Sequence, residues 1–383
     1  MKKDASGEET EKKALLVGIR DPKMSVSEAD SLVNELLRLI DTLELKAIAI
    51  EKVHVREKNA KYGVGTGKAE ELAQKAADLQ VDCIVFDREI SPSQQRNWET
   101  LTGIPAIDRQ ELIIQIFASR ARTREAVLQI NLAELEYSLP RLQHKYVDLS
   151  RQRGGRYGTR GSGETRLETD RRKVESRIHK LEDELEELKR QRQVQRKKRE
   201  KEGVPVCALV GYTNAGKSSI LNSLTGAGVL AEDKLFATLD STSRRLRLPG
   251  GMQIILIDTV GFIRRLPHSL VKAFHSTLEE VNRADLILNV LDATDQDIAA
   301  QCETTLSVLK ELEAENIPRI TVLNKIDKLK TPDISGSPGE SCQKISFSNL
   351  FPDSTMISAM NGTGLPDLCI RIEDALSTGK SQK

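Results

Sequence analysis

Residues 206–224 read VCALVGYTNAGKSSILNSL. The unbroken apolar run Val206 to Val210 predicts a buried strand, and the apolar residues after Ser218 fall at helical spacing. Between strand and helix, Gly211, Tyr212, Thr213, Asn214, Ala215, Gly216, Lys217 and Ser218 match G-x-x-x-x-G-K-[ST], followed by Ser219. In that setting the glycines let backbone N–H groups curl around a phosphate, and the helix start adds its positive end. Lys217 reaches the β and γ oxygens, and Ser218 offers a hydroxyl to Mg²⁺. A phosphate loop of this kind sits on a parallel sheet, so the C-terminal part of the chain is expected to be α/β.

Working outward, further apolar runs at Ile254 to Ile257, Leu286 to Leu291, Ile320 to Leu323 and a short one before Ser358 each end in a polar or glycine motif. In a doubly wound sheet that edge carries the ligand. Asp258-Thr259-Val260-Gly261 closes the run from Ile254, behind an expected hairpin of Arg245 to Leu248 and Met252 to Ile257 turned at Gly250-Gly251. There Asp258 can hold Mg²⁺ through water, and the Gly261 amide can meet a γ-phosphate. Asn324-Lys325-Ile326-Asp327 selects the base. The carboxylate of Asp327 accepts from N1–H and the 2-amino group of guanine, whereas adenine presents the opposite pattern. Ser358-Ala359-Met360 can place an amide on the guanine O6.

The chain has 383 residues with 38% hydrophobic and 30% charged residues, which allows two or three domains with full cores. No apolar stretch is long enough to span a bilayer and the start lacks a signal core, so no membrane span is expected. A cytoplasmic location is expected, with peripheral membrane attachment left open, and a monomer. Cys83, Cys207, Cys302, Cys342 and Cys369 lie far apart, without the pairs that zinc or a disulfide frame requires. The scattered histidines and Trp98 and Tyr137 read as core or surface residues. Net charge is +1. It hides about 20 basic against about 11 acidic residues between Arg141 and Lys201, which suggests a polyanionic partner at one place.

Residues 1–12 are polar and read as a tail. From Lys13 to about residue 120, short apolar runs (Ala14 to Ile19, Ala47 to Ile50, Cys83 to Phe86) alternate with helical stretches (Ser27 to Leu43, Lys68 to Leu79). That pattern predicts a small α/β domain with parallel strands. Tyr62-Gly-Val-Gly-Thr-Gly-Lys68-Ala69 lacks the first glycine and the hydroxyl of a second phosphate loop, and reads as a glycine-rich turn before a helix. Over 121–202, Leu128, Leu132, Leu135, Leu139, Leu142, Tyr146 and Leu149, then Leu167, Val174, Ile178, Leu181, Leu185 and Leu188, form two apolar seams. They predict an antiparallel helical hairpin, with Pro140 as a kink. Its tip, about 150–165, interleaves glycines with Arg151, Arg153, Arg156, Arg160 and, just beyond, Arg166. Such a tip can lay guanidinium groups on nucleic-acid phosphates. An acidic protein surface is the competing reading, in which the chain is a GTP-dependent adaptor. Residues 203–378 are the nucleotide domain and 379–383 a tail.

The four nucleotide elements in this order resemble the translation-factor-like class of P-loop GTPases. That resemblance makes Thr238, within Leu235-Phe236-Ala237-Thr238-Leu239-Asp240, the residue that senses Mg²⁺ and γ-phosphate, and it brings Phe236, Ala237, Leu239 and Asp240 to the nucleotide. A lysine usually follows Ser-Ala in the last motif; here Met360 stands there. The strings GYTNAGKS, LFATLD, DTVGFIRRLPHSLVKAFHSTLEE and GETRLETDRR further resemble the HflX family of ribosome-associated GTPases, over nearly the whole chain. The resemblance implies the N-terminal domain, hairpin and GTPase order read above. It also implies binding of GTP and GDP, hydrolysis to GDP and phosphate with Lys217, Thr238 and Gly261 at the reaction, and association with rRNA of the large ribosomal subunit in rescue or splitting. Phe262 stands where many relatives place a water-orienting glutamine, so hydrolysis is expected to be slow alone. Two remedies stay open: K⁺ held by Asn214, or ordering of the switch residues by the ribosome.

Overall fold

The computed structural model describes residues 11–380 apart from 58, 153–161, 201–202, 229–233, 240–241, 266–279 and 330–349, with side chains left out in 143–152, 162–167, 193–200 and 379–380. The chain divides into two compact units, Met1–Ser119 with Val127–Glu187 and Pro267–Ala273, and Arg120–Ala126 with Leu188–Leu266 and Phe274–Lys383.

In the first unit the order is β1 (Lys13–Arg20), α1 (Val26–Thr42), β2 (Lys46–His54), α2 (Thr66–Asp78), β3 (Cys83–Phe86), α3 (Pro92–Thr102), β4 (Ala106–Ile107) and α4 (Arg109–Arg120). The sheet runs β2-β1-β3-β4 with every pairing parallel. Six consecutive residues of β1 are buried, because helices cover both faces of a parallel sheet. Ser25 caps α1 by accepting from the Glu28 amide at 3.0 Å, and Leu32, Leu36, Leu39 and Ile40 bury its inner stripe. Trp98 is fully buried, its ring against Tyr62 and Phe86 and its Nε1 donating to the Tyr62 carbonyl at 3.0 Å. Tyr62 therefore belongs to the core, and Gly65 caps α2. Lys68, in the first turn of α2, is held by Glu71 at 2.6 Å and Glu51 at 3.6 Å.

Helices α5 (Arg124–Gln152) and α6 (Ser162–Glu200) follow. The expected kink is not a break, for α5 continues through Pro140 as one element. On α6, Val174, Ile178, Leu181, Leu185 and Leu188 are shielded while most charged neighbours are exposed; the side chains of Leu167, and of Tyr146 and Leu149 on α5, lie outside the described residues. Arg192, late in α6, pairs with Glu125 in the first turn of α5 at 2.5 Å, which sets the two helix ends antiparallel there.

The second unit holds β5 (Val206–Gly211), α7 (Lys217–Thr225), β6 (Thr242–Arg247), β7 (Gln253–Asp258), β8 (Leu286–Asp292), α8 (Ile298–Glu311), β9 (Arg319–Asn324), β10 (Thr355–Met356) and α9 (Leu365–Lys380). Its sheet runs β10-β9-β8-β5-β7-β6, all parallel except β6, which returns on β7 as a hairpin. Gly251, at a φ of 96°, makes the turn. Cys207, Leu209, Leu256, Leu288, Val290 and Val322 are buried in one core with the inner faces of α7 and α9. Burying each of these Leu and Val side chains contributes roughly 1.5–3 kcal/mol. Because the five parallel strands run the same way, Gly211, Asp258, Asp292, Asn324 and Met356 end on one edge. Among the described residues no helix is long and apolar enough to cross a membrane, and no cluster of His, Cys, Asp or Glu could hold a metal by itself.

Candidate active site

The loop after β5 uses its glycines for space. A methyl on Gly211, whose φ is 147°, would sit 2.2 Å from the Val290 carbonyl oxygen, and one on Gly216, at 93°, would sit 2.2 Å from Asn324 Nδ2. Asn214 also takes a positive φ of 61°. Lys217, buried in the first turn of α7, donates to the Gly211 and Tyr212 carbonyls at 3.1 and 2.8 Å. Burial pulls its ammonium down to about 8, against the pull of Asp258 upward. Burial likewise pushes the Asp258 carboxyl up, opposed by Lys217 and by the hydroxyls of Ser218 and Thr238. Phosphate at Lys217 and a cation at Asp258 would each restore the charged form.

Ser218 Oγ lies 2.5 Å from Thr238 Oγ1 and donates to Asp258 Oδ2 at 2.6 Å. Asp258 Oδ1 is buried and has no hydrogen-bond partner among the described residues. Three hard oxygen ligands with one left unsatisfied fit Mg²⁺, which prefers oxygen and keeps several of its waters. The Thr259 hydroxyl donates to the Leu209 carbonyl at 2.7 Å and so fixes the end of β7 against β5. The turn at Gly261 is strapped to the phosphate loop twice, by Thr213 N to Phe262 O at 2.8 Å and Phe262 N to Gly211 O at 3.0 Å.

On the base side, buried Asn324 donates to the Ala215 carbonyl at 2.9 Å and accepts from the Ala359 amide at 3.0 Å. Ser358 Oγ donates to Asp327 Oδ1 at 2.5 Å, while Asp327 itself remains exposed. Ser223 of α7 donates to the Ala359 carbonyl at 2.5 Å. Met360 is 89% exposed, so its side chain projects into solvent rather than covering the site.

Thr213, Asn214, Gly216, Lys217, Ser218, Ser219, Phe236, Ala237, Thr238, Thr259 and Gly261 thus line one cleft at the strand edge. Asn324, Lys325, Asp327, Ser358 and Ala359 continue along the same edge. Tyr212, Leu239 and Val260 are buried and brace the loops, and Ile326 packs on the apolar cluster around Leu323. Asp240, Arg153, Arg156 and Arg160 lie outside the described residues; Arg151 and Arg166 fall within α5 and α6, their side chains outside the description. Sequence reasoning missed two cations' surroundings. Lys234 also lines the cleft, and Asp292, at the end of β8, pairs with Lys325 at 2.7 Å. The signal for Asp292 was an acidic residue closing a buried strand.

Comparison with known proteins adds the following. A family described as "GTP-binding GTPase N-terminal" matches residues 30–118, "GTP-binding GTPase Middle Region" matches 120–199, and "50S ribosome-binding GTPase" matches 206–325. GTPase HflX of Caldanaerobacter subterraneus subsp. tengcongensis is 48% identical over 318 residues, which cover 83% of this chain and 73% of that protein. GTPase HflX of Akkermansia muciniphila is 48% identical, over 82% of this chain and 74% of its own. GTPase HflX of Escherichia coli K12 is 41% identical over 345 residues, 90% of this chain and 79% of its own.

Proposed function

Because the chain belongs to the HflX family of GTPases, and therefore binds GTP and hydrolyses it, we propose that it does so on the large ribosomal subunit, in rescue or splitting of ribosomes. The observation that carries the catalytic assignment is the convergence of Ser218, Thr238 and the half-satisfied Asp258 carboxylate beside buried Lys217. Ser218 and Thr238 would hold Mg²⁺ directly and Asp258 through water, and the bound ion would supply charge to the β and γ oxygens. Lys217 leaves its carbonyl partners for those same oxygens, the amides at the Gly216 to Ser218 helix start face the β-phosphate, and the Gly261 amide meets the γ-phosphate. Asp327, steadied by Ser358, accepts from guanine, and an amide of the Ser358-Ala359-Met360 turn donates to its O6. Phe262 is 1% exposed and apolar, so it orients no water. Turnover is accordingly slow alone and would be quickened either by ordering of the switch residues on the ribosome or by K⁺ held at Asn214.

We assign 13–120, 121–202 and 203–378 to N-terminal domain, hairpin and GTPase domain, in keeping with the ranges of the three family matches. The Gly/Arg tip and the helix ends flanking it would reach rRNA phosphates through Arg151, Arg153, Arg156, Arg160 and Arg166. Two measurements test this reading. Purified large subunits, with a nonhydrolysable GTP analogue, are expected to carry the protein into the pellet and to raise GTP turnover several-fold; turnover that stays flat across subunit ratios sinks the coupling. Binding should weaken steeply with salt. Replacing Arg153, Arg156 and Arg160 together should lower the slope of log affinity against log salt by roughly 2–3, at about 0.7–0.9 per phosphate contact.

A further inference from the structure

Thr213 is the third residue of the phosphate loop and is 6% exposed, yet its Oγ1 has no hydrogen-bond partner among the described residues. Leaving a buried hydroxyl unpaired is costly, so such a group marks a place where a ligand completes the structure. The neighbourhood says which part of the ligand. Thr213 lines the same cleft as Lys217, Ser218 and Thr238. Its own amide is bonded to the Phe262 carbonyl at 2.8 Å. A methyl added to Gly261 would lie 2.7 Å from Thr213 Cα, 2.8 Å from its Cγ2 and 3.0 Å from Lys217 Nζ. Thr213 is therefore packed on the Gly261-Phe262 turn, beside the ammonium that serves the terminal phosphate.

We propose that Thr213 is a catalytic residue: its hydroxyl accepts a hydrogen bond from the attacking water and donates one to a γ-phosphate oxygen. A hydroxyl has one donor and two acceptor positions, so it can make both bonds at once, and the Phe262 side chain can make neither. In the step, the water oxygen bonds to γ-phosphorus and the bond to the β–γ bridging oxygen breaks. The electron pair leaves on GDP, the water proton passes to the released phosphate, and Thr213 emerges unchanged. This inference rests on the assignment of the cleft to GTP.

The test is single-turnover GTP hydrolysis by the full chain without ribosomes, with GTP and GDP affinities measured by calorimetry on the same preparations. Thr213→Val, which keeps the shape and removes the hydroxyl, is expected to slow hydrolysis at least about 10-fold with both affinities within about 2-fold of wild type. Thr213→Ser is expected to retain most of the rate. Hydrolysis by the valine variant within 2-fold of wild type overturns the proposal, and so does a loss of GTP affinity that matches the loss of rate, since the hydroxyl would then serve binding. If the valine variant does not fold, the comparison of Thr213→Ser with Thr213→Ala decides in the same way. Wild-type protein that binds no GTP would instead remove the cleft assignment itself.

Discussion

Asp327→Asn is expected to weaken GTP binding by roughly 10²–10⁴-fold and to make the protein prefer xanthosine triphosphate. The carboxylate accepts two hydrogen bonds from guanine, and bonds to a charged group are worth about 1.5–3 kcal/mol each. An asparagine oxygen can still accept from N1–H, but its NH₂ then faces the guanine 2-amino group, donor against donor. Xanthine carries an oxygen at that position and restores the pairing. Nothing else in the pocket needs to move, because Ser358 Oγ, now 2.5 Å from Asp327 Oδ1, can donate equally well to an amide oxygen. Calorimetric titration of both proteins with the two nucleotides checks this, and unchanged GTP affinity in the variant would refute the choice of base-reading residue.

Gly261→Ala should cost about 100-fold in GTP turnover while leaving GDP affinity within a few-fold. The added methyl meets Thr213 Cα at 2.7 Å, a backbone atom that cannot step aside as a flexible side chain could, and Lys217 Nζ at 3.0 Å. The turn must therefore retreat from the phosphate loop, stretching the Thr213–Phe262 bond of 2.8 Å. A displacement of about 1 Å from a productive geometry commonly costs about 10²-fold in rate. GDP lacks the phosphate that the Gly261 amide serves, so its binding is spared. Equal losses for GDP and GTP would show that the methyl damages the loop as a whole.

Much of this architecture could be read along the chain because its central strands are covered on both faces and so appear as uninterrupted apolar runs. Cys83 to Phe86 and Val206 to Gly211 are examples. The motifs at their ends were equally readable, since a phosphate loop depends on residues adjacent in sequence. The stretch from Ser91 to Arg120 was harder. Helix α3 is polar, and β4 has two residues, too few for a period. The start of α3 did carry a local sign, the capping box in which Ser91 and Gln94 exchange hydrogen bonds before Pro92 enters the first turn. The pairing of Asp292 with Lys325 had no local sign of comparable strength. It arises because β8 lies beside β9 with Asp292 opposite Asn324, and strand order is decided by the packing of whole units. The unpaired hydroxyl of Thr213 belongs with it, for want of a partner is visible only once every neighbour has been placed.

Asn324 spends one end of its amide on Ala215 and the other on Ala359, so two recognition loops far apart in the chain share a single planar side chain. For anyone seeking small molecules against this protein, that joint couples the two halves of the pocket. A fragment that grips only the purine end should pay part of the cost of ordering the phosphate end as well. Extending it toward Lys217 should then raise potency by more than the added atoms contribute alone.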